Sequence, residues 1–122
     1  MKILYLCSLF HPHQGGIETI VSELSELSKA NGAGVVILTK QFPYNLPSHE
    51  KLKGIKIIRF PVPKKKLDYQ LLGSFLRQNE KTLRSDVIHI VGLRHPLPLI
   101  GWYLAKRWNA KIIGTICGGE IP

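Results

Sequence analysis

The chain alternates short apolar runs of strand length with longer segments in which apolar residues recur at helical spacing. The first run, Lys2–Ser8, is almost continuously apolar, as is typical of a central parallel strand covered on both faces. A loop follows over Leu9–Gly16, and from Ile17 the apolar positions recur every three or four residues until Asn31-Gly32. A strand, a glycine-containing loop and a helix are therefore predicted in that order.

The same alternation continues along the rest of the chain. Further strands are predicted over Val35–Thr39, Ile55–Phe60, Asp86–Val91 and Lys111–Cys117, and helices over Leu67–Leu83 and Pro96–Trp108. Right-handed crossovers between parallel strands place the helices on both faces of the sheet. We therefore predict an α/β fold, a Rossmann-like, doubly wound parallel sheet in three α/β/α layers with strand order 3-2-1-4-5.

In that order the chain reverses direction between the first and fourth strands. Ligands of such sheets bind at this switch point, outside the carboxyl ends of the strands. The loops Leu9–Gly16 and Gly92–His95 are therefore expected to flank the functional crevice. Because loops at this edge carry binding groups, a functional role is favoured for Arg94 and His95.

Length and charge limit the possible functions. The 122 residues suffice for one domain but not for two nucleotide-binding lobes. Lysine and arginine outnumber aspartate and glutamate by 17 to 8, and the formal charge of +9 favours anionic partners such as phosphates, sugar nucleotides, nucleic acid or acidic lipid headgroups. No apolar segment is long enough to span a membrane. Cys7 and Cys117 lie in apolar β-like runs, which indicates buried free thiols and a cytoplasmic location.

Gly15-Gly16, between the first strand and the first helix, is the strongest chemical signal. Glycines there let backbone N–H groups approach an anion at the positive end of the helix, which suits a diphosphate. The pair is equally compatible with a tight turn from strand to helix and no ligand. The GxGxxG and GxxxxGKS/T phosphate-binding fingerprints are both absent.

Three blocks of sequence resemble the N-terminal domain of glycosyltransferases of the GT-B fold, family four (subfamily 4-like). The first runs from His13-Gln14-Gly15-Gly16-Ile17-Glu18 through the helix to the strand ending in Thr39. The second, Asp86–Gly92, resembles the family's Asp-Val-Ile/Val-His strand. The third, Ile113–Glu120, resembles a strand that commonly ends in Thr-x-His-Gly-Gly-Glu. The blocks occur in the family's order and span the whole chain.

The resemblance implies transfer of a sugar from a nucleotide-sugar donor, usually with retention and without an essential metal or other cofactor. In the family the reaction takes place in a cleft between two Rossmann-like lobes. Residues 1–122 would form the acceptor-side lobe, ending just after a strand, and would be inactive without the C-terminal lobe. The acceptor would be a carbohydrate, such as a polysaccharide, or a lipid-linked intermediate.

Individual residues carry over from the resemblance and from their position at the crevice. Gly15 and Gly16 correspond to the donor-binding loop, and His89 to a catalytic histidine near the end of the fourth strand. Val91 and Cys117 stand where the family often has histidine, so a polar contact is expected to be missing. Acceptor contacts are expected from His11, His13, Glu18, Arg94, His95 and Glu120.

Several of these residues also have a purely structural interpretation. Isolated loop histidines such as His11 and His13 more often make local hydrogen bonds, and His89 is equally compatible with a satisfied core histidine. Trp102, Tyr103 and Trp108 lie on a predicted helix and are expected to be packing residues, not a platform that stacks on nucleic acid.

The lysines over Lys51–Lys66 and the Leu/Phe helix that follows them also have two interpretations. They suit peripheral contact with an anionic membrane at its inner face, as a lipid-linked acceptor would require. A solvated basic rim beside a core helix is the favoured interpretation, because one apolar side of that helix must cover the sheet.

Two other classes of protein compete with a glycosyltransferase domain. A stand-alone, non-enzymatic basic module for nucleic acid or anionic membrane would bind oligonucleotides in a salt-dependent way and ignore sugar nucleotides. An unrelated Rossmann-type nucleotide-binding enzyme is disfavoured because its phosphate fingerprints are missing. The leading hypothesis is therefore a glycosyltransferase lobe, with no nucleic acid among its favoured partners.

Overall fold

The computed structural model describes residues 1–12 and 15–116. Its sheet contains β1 (Lys2–Cys7), β2 (Gly34–Lys40), β3 (His49–Leu52), β4 (Ile55–Phe60), β5 (Val87–Val91) and β6 (Lys111–Thr115). The helices are α1 (Gly16–Ala30), α2 (Lys66–Gln78), α3 (Glu80–Leu83) and α4 (Leu97–Trp108). The predicted α/β class is confirmed.

The strand order is β3-β4-β2-β1-β5-β6. The five strands expected from the sequence take their predicted order, and each neighbouring pair among them is parallel. The sequence analysis missed β3, which pairs antiparallel with β4 at the edge of the sheet. Lys53 and Gly54 join these two strands with φ angles of 51° and 79°, as a type I′ hairpin turn requires. The sheet is therefore mixed at one edge.

The core lies in two halves, one on each face of the sheet. Alternate residues of β1 point to opposite faces, so Leu4 and Leu6 contact the side covered by α2, α3 and α4, whereas Tyr5 and Cys7 contact the side covered by α1. β1 is thus apolar at every central position because both of its faces are buried. This arrangement gives the three predicted layers.

The single helix predicted over Leu67–Leu83 is divided at Asn79. The Asn79 side chain donates a hydrogen bond from Nδ2 to the Phe75 carbonyl oxygen at 2.9 Å, which ends α2, and the short α3 follows. At the start of α2, the Asp68 carboxylate accepts hydrogen bonds from the backbone N–H groups of Lys64 and Lys65 at 2.8 and 2.9 Å. None of the helices in the described ranges combines the length and apolarity of a membrane span.

The packing of the helices differs from the prediction at several apolar positions. Leu72 and Leu76 of α2 are buried, but Leu67 and Leu71 lie on its opposite side and are exposed. On α4, Trp108 packs in the core as expected, whereas Trp102 is exposed. Trp102 is therefore not the buried packing residue that was expected, because helical spacing allows α4 an apolar stripe on its outer side as well.

Arg59, near the carboxyl end of β4, joins three separate segments of the chain. Its side chain is only 1% exposed and forms an ion pair with Glu50 at 2.8 Å. It also donates hydrogen bonds to the carbonyl oxygens of Pro47 at 3.0 Å and His11 at 2.6 Å. One guanidinium group therefore holds the loop after β1 against the segment that leads into β3.

Replacing Arg59 by leucine is expected to lower the free energy of unfolding by about 3 kcal/mol, because two carbonyl oxygens and a carboxylate lose their buried partner. Glu50→Gln is the comparison variant, and its cost is expected to be smaller, because Arg59 loses its carboxylate but keeps both carbonyl acceptors. Chemical denaturation of both variants measures the difference. Equal losses in the two variants would contradict the linking role of Arg59.

Candidate functional site

The predicted switch point is present at the carboxyl edge of the sheet. β1 lies between β2 and β5, and Cys7 at its end is level with Thr39 of β2 and Val91 of β5. The chain leaves β1 toward α1 on one face and leaves β5 toward α4 on the other. The two loops therefore diverge from neighbouring strand ends and leave a crevice between them.

The glycine loop leads directly into α1. Gly15 precedes the helix with an extended φ of 170°, and its carbonyl oxygen accepts a hydrogen bond from Thr19 Oγ1 at 2.8 Å. A methyl group on Gly15 would lie 2.6 Å from Glu18 Oε2, whereas one on Gly16 would meet no described atom within 4 Å. Gly15 thus allows the Glu18 carboxylate to approach the helix end, and Gly16 faces open space within the described part of the chain.

Glu18 places a negative charge near this helix end. A carboxylate in the first turn is favourable because the N–H groups there carry partial positive charge. Burial raises the pKa of the Cys7 thiol to about 12; a hydrogen bond with Thr39 opposes this rise in part, and the negative charge of Glu18 adds to it. The thiol is therefore protonated at neutral pH and does not act as a nucleophile.

Two cations lie at the same carboxyl edge of the sheet, Lys40 at the end of β2 and Arg94 after β5. Burial lowers the pKa of Lys40, at the end of β2, and the positive charge of Arg94 lowers it further. Neither side chain forms an ion pair with a carboxylate among residues 1–12 and 15–116. Two neighbouring cations without a counter-ion favour the binding of an anion. Arg94 was predicted from the sequence, whereas Lys40 was missed, although its position at the same strand edge could have indicated it.

His89 lies in the middle of β5, two residues before the strand ends. Its Nε2 atom is 2.7 Å from the hydroxyl oxygen of Thr115, and its ring lies 5.5 Å from that of Tyr5. Burial lowers the pKa of His89 from its ordinary value of 6.5, so the ring is neutral at neutral pH. These contacts fit a satisfied core histidine, and its catalytic role stays a prediction.

Two other predicted site residues lie in the described parts of the two loops. His11 is exposed and lines a cavity of about 600 Å³ together with Glu18. His95 lies after β5, with its Nε2 atom 2.6 Å from the hydroxyl oxygen of Tyr69 on α2. His13 and Glu120 lie outside the described residues, as does Cys117. The described ranges contain no group of three or more His, Cys, Asp or Glu side chains that could hold a metal ion.

Comparison with known proteins shows a likeness in structure. No protein-family model matches the chain, and no curated protein matches it. Among solved structures, it is similar to sucrose-phosphate synthase from Thermosynechococcus elongatus, with a TM-score of 0.65 and 21% sequence identity over 95% of the chain. The chain spans 33% of that protein's length. The two proteins therefore share a fold over this region.

The lowered pKa of His89 predicts a loss of stability in acid. Between its folded-state pKa and the ordinary value of 6.5, the unfolded chain binds more protons, so stability rises with pH. The contribution of neutral His89 to the free energy of unfolding is complete above about pH 6.5. It is lost as the pH falls toward the lower pKa that His89 has in the folded chain.

His89→Gln is expected to show a smaller decrease in free energy of unfolding between about pH 7.5 and about pH 5 than the unmodified chain. Urea denaturation at the two pH values measures both decreases, and the contributions of the other titrating groups cancel in the comparison. Parallel pH dependence in the two proteins would show that His89 titrates as it does in the unfolded chain.

Proposed function

We propose that this chain is the acceptor-side lobe of a glycosyltransferase that uses a nucleotide-sugar donor. The observation that carries the proposal is the presence of two electrostatically coupled cations at the carboxyl edge of the sheet, Lys40 at the end of β2 and Arg94 after β5. The fold shared with part of a sucrose-phosphate synthase supports a glycosyltransferase-like domain. The sequence resemblance described above points in the same direction.

The chemistry of sugar transfer matches the charges around the crevice. The bond between the anomeric carbon and the donor diphosphate breaks while the bond to an acceptor oxygen forms, so negative charge develops on the departing diphosphate. Lys40, Arg94 and the N–H groups at the start of α1 supply positive charge for such an anion. The proposal therefore assigns the donor diphosphate to the part of the crevice that Lys40, Arg94 and the start of α1 border.

Glu18 is assigned a different task because its carboxylate would repel a diphosphate. A carboxylate accepts hydrogen bonds, which suits the hydroxyl groups of a carbohydrate acceptor. Glu18 and His11 line the same cavity beside the glycine loop, so the acceptor would lie there. Because the chain spans a third of the similar enzyme, catalysis is proposed to require a second lobe that completes the donor site.

Gly16→Ala tests the donor-binding role without disturbing the fold. The methyl group meets no described atom, and alanine favours helix by up to about 1 kcal/mol, so the unfolding midpoint is expected to stay the same or rise. In the unmodified chain, UDP- and GDP-sugars are expected to shift the Gly15 and Gly16 amide signals saturably in heteronuclear NMR. In Gly16→Ala the Gly15 shift should weaken markedly, because the methyl group occupies the path of the diphosphate.

The matched control is Gly73→Ala on α2, where the added carbon lies 3.2 Å from the flexible end of Arg77 and away from the crevice. It is expected to bind the sugar nucleotide like the unmodified chain. A folded spectrum without any shift at Gly15 or Gly16, or unchanged binding by Gly16→Ala, would refute the donor-binding role.

The cation pair gives a second test. Lys40→Gln and Arg94→Gln are each expected to weaken UDP binding about fivefold to tenfold, since each removes one charged partner of the diphosphate. Lys51→Gln, on the edge strand β3, makes the same change in net charge and is expected to have little effect. Titration calorimetry at low and high salt measures the three affinities. An equal loss in Lys51→Gln would indicate attraction to overall charge and no defined site.

A further inference from the structure

The outward side of α2 and α4 exposes large apolar side chains. We define the α2–α4 face by Leu67, Tyr69 and Leu71 of α2 and Leu99 and Trp102 of α4, all of which are exposed. Leu67, Leu71 and Trp102 expose 71%, 64% and 55% of their surface. Between the helices lies an open groove of about 460 Å³ whose walls include Tyr69, Leu99 and Trp102.

The core does not require these side chains. α2 already covers the sheet with Leu72 and Leu76, and α4 does so with Leu97, Ile100 and Leu104. Leu67 and Leu71 are one helical turn apart on the far side of α2, so each helix carries a second apolar stripe that faces solvent. Exposed apolar residues that cluster in this way mark interaction surfaces more often than scattered ones do.

Cations surround the α2–α4 face. Lys64, Lys65 and Lys66 lie at the start of α2, Arg77 lies near its end, and the Lys106 ammonium lies 5.0 Å from the centre of the Trp102 ring. None of these five forms an ion pair with a carboxylate in the described part of the chain.

Two carboxylates, Asp68 and Glu80, lie in the segments next to these cations. Asp68 accepts hydrogen bonds from the backbone N–H groups of Lys64 and Lys65, and these bonds, followed by the charges of the same two lysines, lower its pKa; it offsets one of the five cations. Glu80 accepts hydrogen bonds from Arg107 at 2.7 Å and Trp108 at 2.8 Å, and these lower its pKa as well. The α2–α4 face therefore presents net positive charge around an apolar centre.

We propose that the α2–α4 face docks on a lipid bilayer that carries anionic headgroups. Leucine, tryptophan and tyrosine between lysines and arginines suit the boundary between acyl chains and headgroups, where the apolar groups insert and the cations meet phosphates. A second copy of the chain would bring like charges together. A nucleic acid would leave the leucines without an apolar partner.

The proposal goes beyond sugar transfer and does not depend on it. The hydrogen bond between Tyr69 and His95 connects α2 to the loop at the crevice, so a docked α2–α4 face would fix the orientation of the crevice relative to the bilayer.

Vesicle flotation of the full chain tests the proposal, with phosphatidylcholine vesicles compared with equimolar phosphatidylcholine and phosphatidylglycerol. Binding is expected to the anionic vesicles alone and to weaken with salt. Insertion should shift tryptophan emission to the blue through Trp102, because Trp108 is already buried. The double variant Leu71→Gln/Trp102→Gln is expected to bind at least about tenfold more weakly, because it removes several inserted apolar carbons.

Leu27→Gln is the matched control, since Leu27 is a 62% exposed leucine on α1, across the sheet from the α2–α4 face. It is expected to bind vesicles normally, and all variants are expected to keep the unfolding midpoint because they change exposed positions. The proposal is overturned by absence of binding to anionic vesicles at low salt, by equal losses in the control and the double variant, or by a dimer that the double variant abolishes. No sugar nucleotide is present, so failure here leaves the Gly16→Ala test unaffected.

Discussion

The central strand β1 is hydrogen-bonded on both edges and covered on both faces, and the rest of the fold follows from this. Its neighbours β2 and β5 lie parallel to it, and its side chains alternate between the two halves of the core. The backbone groups of a strand in this position have their partners in the sheet, so its side chains are free to be entirely apolar. The chain reaches solvent again in the loop that follows the carboxyl end of β1, and the crevice lies there.

The apolar runs were sufficient to predict the parallel strands and their order, because a strand buried on both faces has a distinctive composition. β3 was not predictable in this way. As an edge strand it has a solvated side and contains His49, Glu50 and Lys51, so its pairing depends on the two-residue turn at Lys53-Gly54. Helical periodicity was also insufficient to separate the two apolar sides of α2, since Leu71 and Leu72 are adjacent in sequence and only packing against the sheet distinguishes them.

The location of the candidate site at the carboxyl edge of the sheet was predictable from the sequence. Topology alone placed the loops after β1 and β5 at the crevice, and Arg94 lies there. The position of Lys40 at the same edge could have been read from the sequence, but its electrostatic coupling to Arg94 was not predictable, because it depends on how the end of β2 and the loop after β5 approach each other in space. For His89 the structure adds a hydrogen bond to Thr115, a residue 26 positions away that sequence periodicity does not connect to it.

Arg59 has a consequence for how this chain tolerates sequence change. Its guanidinium contacts the backbone oxygens of residues 11 and 47 and the carboxylate of Glu50. These simultaneous contacts fix the distance between segments that are far apart along the chain. An insertion or deletion between residues 47 and 50 would alter that separation and would displace the residue 11 backbone at the mouth of the crevice. The length of the stretch before β3 is therefore constrained by the loop after β1, which is not adjacent to it in sequence. In related chains, a change of length in one of these two segments is expected to accompany a change in the other.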